Sequence, residues 1–330
     1  MTATPGACLM CGSSSLRPLF DGVRDHYGIA TTEYRFVRCG RCCSAILDPL
    51  PPPDTLQRFY PDEYTFKQPE SSEPFLRRVL RGLEWHAFYQ PIYRKRVRAF
   101  RRLTGLVSGR VIEVGCGSGL FLRALASAGY AADGVETSDA DVFYARRRLR
   151  LSVFHGQLAD FAMADDSYDA AFLVYVLEHV PSPGETLRAV HRILRPGGWV
   201  LAGLPVIDSI QGRLLGRRWS QVTEAPRHLS LPSDAGARWL LTAAGFVDVR
   251  STPMPLIDNA GAIALSVLPG AATTRAYRST GVGALMARRW AGALLMLPAL
   301  GVALAERLPW SAGPRAGLML YCARKPGGPR

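Results

Sequence analysis

The stretch Val111-Ile112-Glu113-Val114-Gly115-Cys116-Gly117-Ser118-Gly119-Leu120 decides how the rest of the chain is read. An apolar strand ends in an acidic residue and three glycines on alternate positions, and a helical run, Leu120–Ala128, follows. Such a junction lets a ligand lie against bare backbone, with amide N–H groups at the helix start pointing at it. A dinucleotide fingerprint wants its third glycine one residue later, where this chain has Leu120. Downstream, Ala131-Ala132-Asp133-Gly134-Val135-Glu136 reads as a short strand ending in a carboxylate. It falls about 20 residues after the first glycine, the spacing at which an acid reaches ribose hydroxyls. The combination points to a nucleoside-bearing cofactor.

Working outward, Tyr168–Val180 is a buried strand running into a helix on which His179 falls near the start. Leu187–Leu194 is helical, Arg195-Pro196-Gly197-Gly198 stops it, and Trp199–Leu204 is the next strand. In order, Glu113–Gly119, Glu136, Tyr168–His179 and Leu194–Gly198 resemble the motifs of class I S-adenosylmethionine-dependent methyltransferases, over roughly residues 109–252. The resemblance implies an α/β fold with a doubly wound, seven-stranded Rossmann-like methyltransferase sheet. Its last strand is antiparallel in that family, and here would be Leu318–Ala323 beside Phe246–Arg250.

At 330 residues, 48% of them hydrophobic, the chain is long enough for one large α/β domain and something smaller. The start Met1–Cys11 has no apolar stretch of signal-peptide kind, which with reduced cysteines suggests a cytoplasmic protein. The net charge of +13 gathers at Arg77, Arg78, Arg81, Arg94–Arg102, Arg146–Arg148 and Arg288–Arg289. Such a balance suits solvated helix faces, nucleic acid, an anionic membrane surface or phosphorylated substrates.

Seven cysteines include two Cys-x-x-Cys pairs, Cys8/Cys11 and Cys39/Cys42, separated by about 27 residues. Four thiolates close a tetrahedral shell around Zn2+ and leave no position for water, so the metal would be structural. Cys43 follows the second pair directly and is a geometrically poorer substitute for Cys42. Leu47–Pro53 is a stiff proline connector, followed by the aromatics Phe59, Tyr60 and Tyr64. Cys8 to Tyr64 resembles the zinc-ribbon leader of a functionally mixed bacterial group of sugar, glycan and secondary-metabolite methyltransferases. The expected partition is a zinc-ribbon-like module with its connector over 1–66, a helical lid over 67–108, and the methyltransferase domain over 109–330.

The family resemblance also implies roles at the cofactor site. Gly115, Gly117 and Gly119 would admit the methionine end of S-adenosylmethionine, with Glu113 addressing its ammonium group. Glu136 would take both ribose hydroxyls. Leu158 would pack on the adenine and Gln157 hydrogen-bond its edge, with Asp160 as the alternative to Gln157. Val174 and Tyr175 would border the sulfonium, although Tyr175 also suits ordinary core packing. A sulfonium methyl is already activated, so positioning supplies most of the acceleration, and a base helps only where the acceptor must lose a proton. His228, in a long loop after the fifth strand, and His179 are the candidate catalytic bases.

Roughly 60 residues, Thr252 to Arg315, form an apolar, α-helical insertion (about 253–315) before the last strand. Within it, Trp290–Ala305 is uncharged but too short to span a bilayer and is interrupted by Pro298. Trp290, Trp310 and the flanking arginines suit a hairpin or helix lying at a membrane surface, and a pocket cap or dimer contact fits equally. Phe75–Leu103 carries Leu76, Val79, Leu80 and Leu83 at helical spacing and reads as the lid. Three functions follow: methylation, at O or C, of a small-molecule, glycan or lipid-linked acceptor; methylation of ribosomal RNA; and a decayed scaffold, against which the intact glycine loop argues. The fourth strand lacks the Asn/Asp-Pro-Pro-Tyr signature of adenine N-methylation, which sets the nucleic-acid reading second.

Overall fold

A computed structural model describes residues 6–60, 85–268, 282–307 and 316–327, together with Phe75, Val79, Gly82 and Leu83. Tyr64, Leu76, Arg77, Arg78, Leu80, Arg81 and Trp310, singled out above, lie outside the described residues.

The strands are β1 (Leu16–Val23), β2 (Tyr34–Cys39), β3 (Ala45–Asp48), β4 (Gly109–Val114), β5 (Tyr130–Glu136), β6 (Ser152–His155), β7 (Tyr168–Val174), β8 (Leu194–Pro205), β9 (Ser230–Leu231), β10 (Val247–Pro253) and β11 (Leu318–Arg324). Seven of them form one sheet in the order β10-β11-β8-β7-β4-β5-β6, as the expected doubly wound fold requires. β4 pairs in parallel with β5 on one side and β7 on the other, so the strand order reverses beside β4. In open α/β sheets that reversal opens a crevice at the carboxyl ends of the strands, where β4 delivers its glycines.

The chain divides into two compact units: Met1–Pro61 with Val174–His191 and Ala202–Ala323, and Asp62–Leu173 with Arg192–Leu201 and Arg324–Arg330. Within the first unit the amino-terminal strands close with a distant one. β1, β2 and β3 are antiparallel, and β3 then pairs with β9, Ala45 opposite Leu231 and Ile46 opposite Ser230. Phe36, Ala45 and Leu47 pack there with Trp219, Val222, Leu229 and Leu231 in one apolar cluster.

In the second unit, α1 (Gln90–Thr104) and α2 (Leu120–Ser127) contribute Phe100 and Phe121, which meet Phe172 of β7 edge-on at 4.8 and 5.3 Å. α1 stops where Gly105 turns left-handed (φ 73°). The α3 helix (Asp139–Arg147) is capped by the Ser138 hydroxyl, which accepts from the Asp141 amide.

Three local expectations are corrected. Arg195-Pro196-Gly197-Gly198 does not separate helix from strand: α4 (Pro183–Ile193) leads straight into β8, and the Gly197 amide donates to the Lys325 carbonyl at 3.0 Å. His179 does not begin a helix but closes a turn, its amide donating to the Val176 carbonyl, since Pro181 and Pro183 delay the helix to residue 183. Pro298 does not interrupt the insertion. After α5 (Ile210–Leu215) and α6 (Asp234–Ala243), α7 (Leu256–Val267) packs on a 24-residue helix, α8 (Val282–Ala305), that runs through the proline.

The small residues Ala260, Ala264, Ala299 and Ala303 let α7 and α8 approach closely. On the other side of α8, Leu294, Leu297 and Leu304 stand exposed. No described helix is long and apolar enough to cross a membrane. Beneath the insertion, Gln211 of α5 donates to Glu306 at 2.9 Å and Asn259 of α7 at 3.2 Å.

Candidate functional site

In the second unit, the loop after β4 takes left-handed backbone at Gly115, Gly117 and Gly119 (φ 67°, 52° and 78°), which side chains resist. A Cβ on Gly119 would also meet Leu151 Cδ1 at 2.8 Å and Ala145 Cβ at 3.1 Å, so this glycine admits α3 as well as the turn. The amides of Gly115 and Cys116 donate to the Val135 carbonyl, tying the loop to β5. Glu136 completes the frame. Its Oε2 accepts from the Gly117 amide at 2.7 Å and its Oε1 from Thr137 and Ser138 at 2.8 and 2.9 Å. The carboxylate expected at the ribose is thus aimed by backbone donors, with lone-pair capacity left on Oε2.

Glu113, on β4, is 5% exposed, and its Oε2 has no hydrogen-bond partner among the described residues. Burial pushes its carboxyl up to about 8, Arg96 pulls it down and the Glu136 charge adds to the rise. Beyond β6, Gly156 leads to Gln157, whose amide donates to Asp160 Oδ2 at 2.6 Å. Asp160 therefore serves its own turn, while Gln157 is exposed and Leu158 buried.

The first unit holds the remaining candidates. Tyr175, after the end of β7, has φ 60°, a conformation that costs a bulky residue about 1–3 kcal/mol, and its amide donates to the Gly203 carbonyl at 2.9 Å. Val174 and Tyr175 pack against Met254, Ala262 and Leu318. The His179 and His228 rings meet edge to face at 4.6 Å.

His228 is 3% exposed, and its Nδ1 lies 2.7 Å from the Gln221 carbonyl. His179 Nδ1 lies 3.0 Å from the Tyr60 hydroxyl and 3.1 Å from the Arg227 carbonyl. Burial lowers both imidazoles, His179 to about 4 and His228 well below its usual range, so both are neutral at pH 7.

Three residues that sequence reasoning did not single out frame this pair. Glu178 is fully buried, neither side-chain oxygen has a hydrogen-bond partner among the described residues, and burial pushes it up to about 8. Its carbonyl accepts from Leu229 and Ser230, clamping residue 178 to the strand beside His228. The Arg227 guanidinium, also fully buried, is held by Asp25 Oδ1 at 2.6 Å and Glu224 Oε2 at 2.8 Å, and lies 4.5 Å over the Tyr27 ring. The adjacency Glu178-His179 was the only local signal; Asp25 is too remote in sequence to be paired with Arg227 by inspection.

Also in the first unit, one ligand atom each from Cys8, Cys11, Cys39 and Cys42 lies within 4.8 Å of the others. Cys8 and Cys42 sulfurs are 3.5 Å apart, as are those of Cys11 and Cys39. The amides of Arg41 and Cys42 point at Cys39 Sγ, the turn that a Cys-x-x-Cys knuckle makes. Hydrogen bonding with Cys8 and Ser44 holds Cys42 down at about 4, whereas burial raises Cys11 to about 11. Cys43 is exposed and stands apart from the cluster. Ser233, the cap of α6, hydrogen-bonds the Cys42 carbonyl and fixes the knuckle in the unit.

Residues 85–251, just over half of the chain, match the family model described as a methyltransferase domain. A 111-residue stretch is 32% identical to the ubiquinone biosynthesis O-methyltransferase of Pseudomonas aeruginosa, covering 32% of this chain and 48% of that protein. The same enzyme of Methylococcus capsulatus is 33% identical over 111 residues, covering 32% and 47%. The chain thus spans about half the length of the curated relatives it matches. A Haemonchus contortus N-methyltransferase solved with phosphomonomethylethanolamine and S-adenosylhomocysteine is similar in fold. It has a TM-score of 0.50 at 15% identity, over 94% of this chain and 68% of that one.

Proposed function

The chain belongs to the methyltransferase-domain family, and from that membership we propose that it methylates a small-molecule acceptor using S-adenosylmethionine. The observation that carries the reading is the loop Gly115–Gly119 held by Glu136, with a buried Glu113 whose Oε2 lacks a donor among the described residues. A ligand ammonium group supplies that donor, and an ionised Glu113 then fits the methionine end of the cofactor. Glu136 would bind the ribose, and Gln157 and Leu158 the adenine. When bound, the cofactor supplies an electrophilic methyl. The protein's part is to hold it rigidly and place the acceptor in line, which is worth more than acid–base help here.

Transfer to oxygen is favoured by the names of the relatives, both O-methyltransferases. Val174 and Tyr175 are proposed to border the reacting methyl, a role that the costly backbone of Tyr175 supports. His228 and His179 are proposed to accept the acceptor's proton, for which a neutral imidazole has the required lone pair. The four thiols are proposed to hold one structural Zn2+, since their spacing and inward amides suit a closed tetrahedral shell.

Calorimetry tests the core of this reading. S-adenosylmethionine or S-adenosylhomocysteine should bind with micromolar affinity, and Glu136→Ala should weaken it at least tenfold; no binding by the wild type sinks it. A lipid-linked acceptor and a peripheral membrane site gain support from the exposed Leu294, Leu297 and Leu304 of α8. The ribosomal-RNA alternative gains support from a cavity of about 580 Å³ lined by Trp85, Tyr93, Arg94, Arg98, Arg101 and Arg123. Vesicle co-sedimentation and salt-dependent RNA binding separate these two.

A further inference from the structure

We propose that Glu178, His179 and His228 form a second metal site, one that takes a divalent transition-metal cation through two imidazole nitrogens and a carboxylate. One ligand atom of each lies within 4.8 Å of the others. A shell with bonds of about 2.1 Å sets neighbouring ligands about 3.0–3.4 Å apart, so side-chain torsions must close at most about 1.4–1.8 Å. The backbone already holds the ligands in place, because the Glu178 carbonyl accepts from Leu229 and Ser230.

The imidazoles are oriented for ligation. A carbonyl oxygen only accepts, so at 2.7 Å from the Gln221 carbonyl His228 Nδ1 must carry the proton, which leaves Nε2 as the lone-pair nitrogen. His179 Nδ1 faces two oxygens, the Tyr60 hydroxyl at 3.0 Å and the Arg227 carbonyl at 3.1 Å, and the carbonyl, which only accepts, places the proton on Nδ1 here too. Metal-binding histidines use this arrangement, a carbonyl behind the ring fixing the tautomer.

Glu178 supplies the independent observation. It is fully buried with neither oxygen hydrogen-bonded among the described residues, and a cation among these ligands would give it a partner. The surrounding charge agrees: Asp25 and Glu224 already face the single Arg227 guanidinium, and an ionised Glu178 makes the excess two negative charges. His26 also faces His228 and hydrogen-bonds Thr223, and the Tyr60 hydroxyl lies 3.0 Å from His179 Nδ1. Two imidazoles and one carboxylate suit Zn2+, Fe2+, Co2+ or Mn2+ and leave coordination open, unlike the four thiols. Proton acceptance and metal ligation compete for the same imidazole lone pairs. The metal inference stands on these three side chains, whether or not the methyl-transfer reading holds.

The test is metal stoichiometry on the full purified chain under reducing conditions. Wild type loaded with Zn2+, or separately with Co2+, and then desalted should hold two cations per chain by mass spectrometry. Cobalt should show a thiolate charge-transfer band and, apart from it, the weaker visible bands of a nitrogen–oxygen site. Glu178→Gln and His228→Gln should each lose the second cation or bind it at least tenfold more weakly, with the thiolate band unchanged. A wild type holding cobalt only at the thiolates overturns the proposal, as does a second cation that survives both substitutions. The wild-type count decides even where a variant fails to fold. Failure to bind S-adenosylmethionine would sink methyl transfer and leave the metal count untouched.

Discussion

Replacing Asp25 with Asn should destabilise the protein by about 3 kcal/mol at pH 7. The Arg227 guanidinium has no exposed surface, and Asp25 meets it with both oxygens, Nη2 at 2.6 Å and Nη1 at 3.3 Å. Removing one partner of a buried ion pair costs about 3–5 kcal/mol, mostly because the remaining charge is stranded. Glu224 stays on Nε and Nη2, and an Asn oxygen keeps part of the bonding to the Tyr27, Ile29 and Ala30 amides, which argues for the lower end.

For a chain of this size the loss corresponds to a melting point lower by about 6–12 °C. The pH dependence follows from the Asp25 carboxyl. Burial raises it, but Arg227 and the amides of Ala30 and Tyr27 outweigh that and hold it below its ordinary value. A carboxyl depressed in the folded state contributes stability above its unfolded pKa of about 3.9 and loses it as pH falls through the folded value. Urea unfolding should therefore give a constant difference between wild type and variant from pH 5 to 8, narrowing only below about 4. A loss under about 1 kcal/mol at pH 7, or a difference that closes between pH 5 and 8, would refute the reasoning.

Three further outcomes are expected. Gly119→Ala forces a left-handed Ala against Leu151 and Ala145, so it should cost about 1–3 kcal/mol and weaken S-adenosylmethionine binding, read by calorimetry. Cys39→Ser, or prolonged chelation, should remove the thiolate-bound zinc and expose the β1–β3 sheet to proteolysis, and an unchanged zinc content would count against the four-thiol shell. Glu306→Gln should stabilise the protein at pH 8 by a few kcal/mol but have little effect at pH 4. Burial raises Glu306 to about 7, so wild-type stability falls as pH climbs from about 4.3 through that value. Unfolding curves at both pH values would check it.

The sheet was readable because its determinants are local. Val111–Val114 and Tyr168–Val174 are apolar runs of strand length, and the glycines after β4 announce their turn. Glu136 could be placed by counting residues. The misread boundaries are those where distant chain intervenes: Gly197 looks like a helix stop until Lys325 arrives to bond its amide. Pro298 looks like a break, but α8 passes through it with alanines of α7 packed alongside. Glu178 was hidden for another reason. Its adjacency to His179 was visible, but that neither side-chain oxygen finds a hydrogen-bond partner among the described residues is a property of the packed interior alone.

The pairing of β3 with β9 also sets a timetable for synthesis. Ser44 and Ser233 hydrogen-bond although 189 residues separate them. At about 5–20 residues per second, a ribosome needs roughly 10–40 s to deliver the second after the first. Throughout that interval the outer edge of Ile46 has no strand beside it, an open template for pairing with another nascent chain. All four clustered thiols have emerged by then, so ions captured early would hold β1–β3 together while the edge waits. Cells starved of zinc should accordingly accumulate the protein in inclusion bodies before any loss of activity in the soluble fraction.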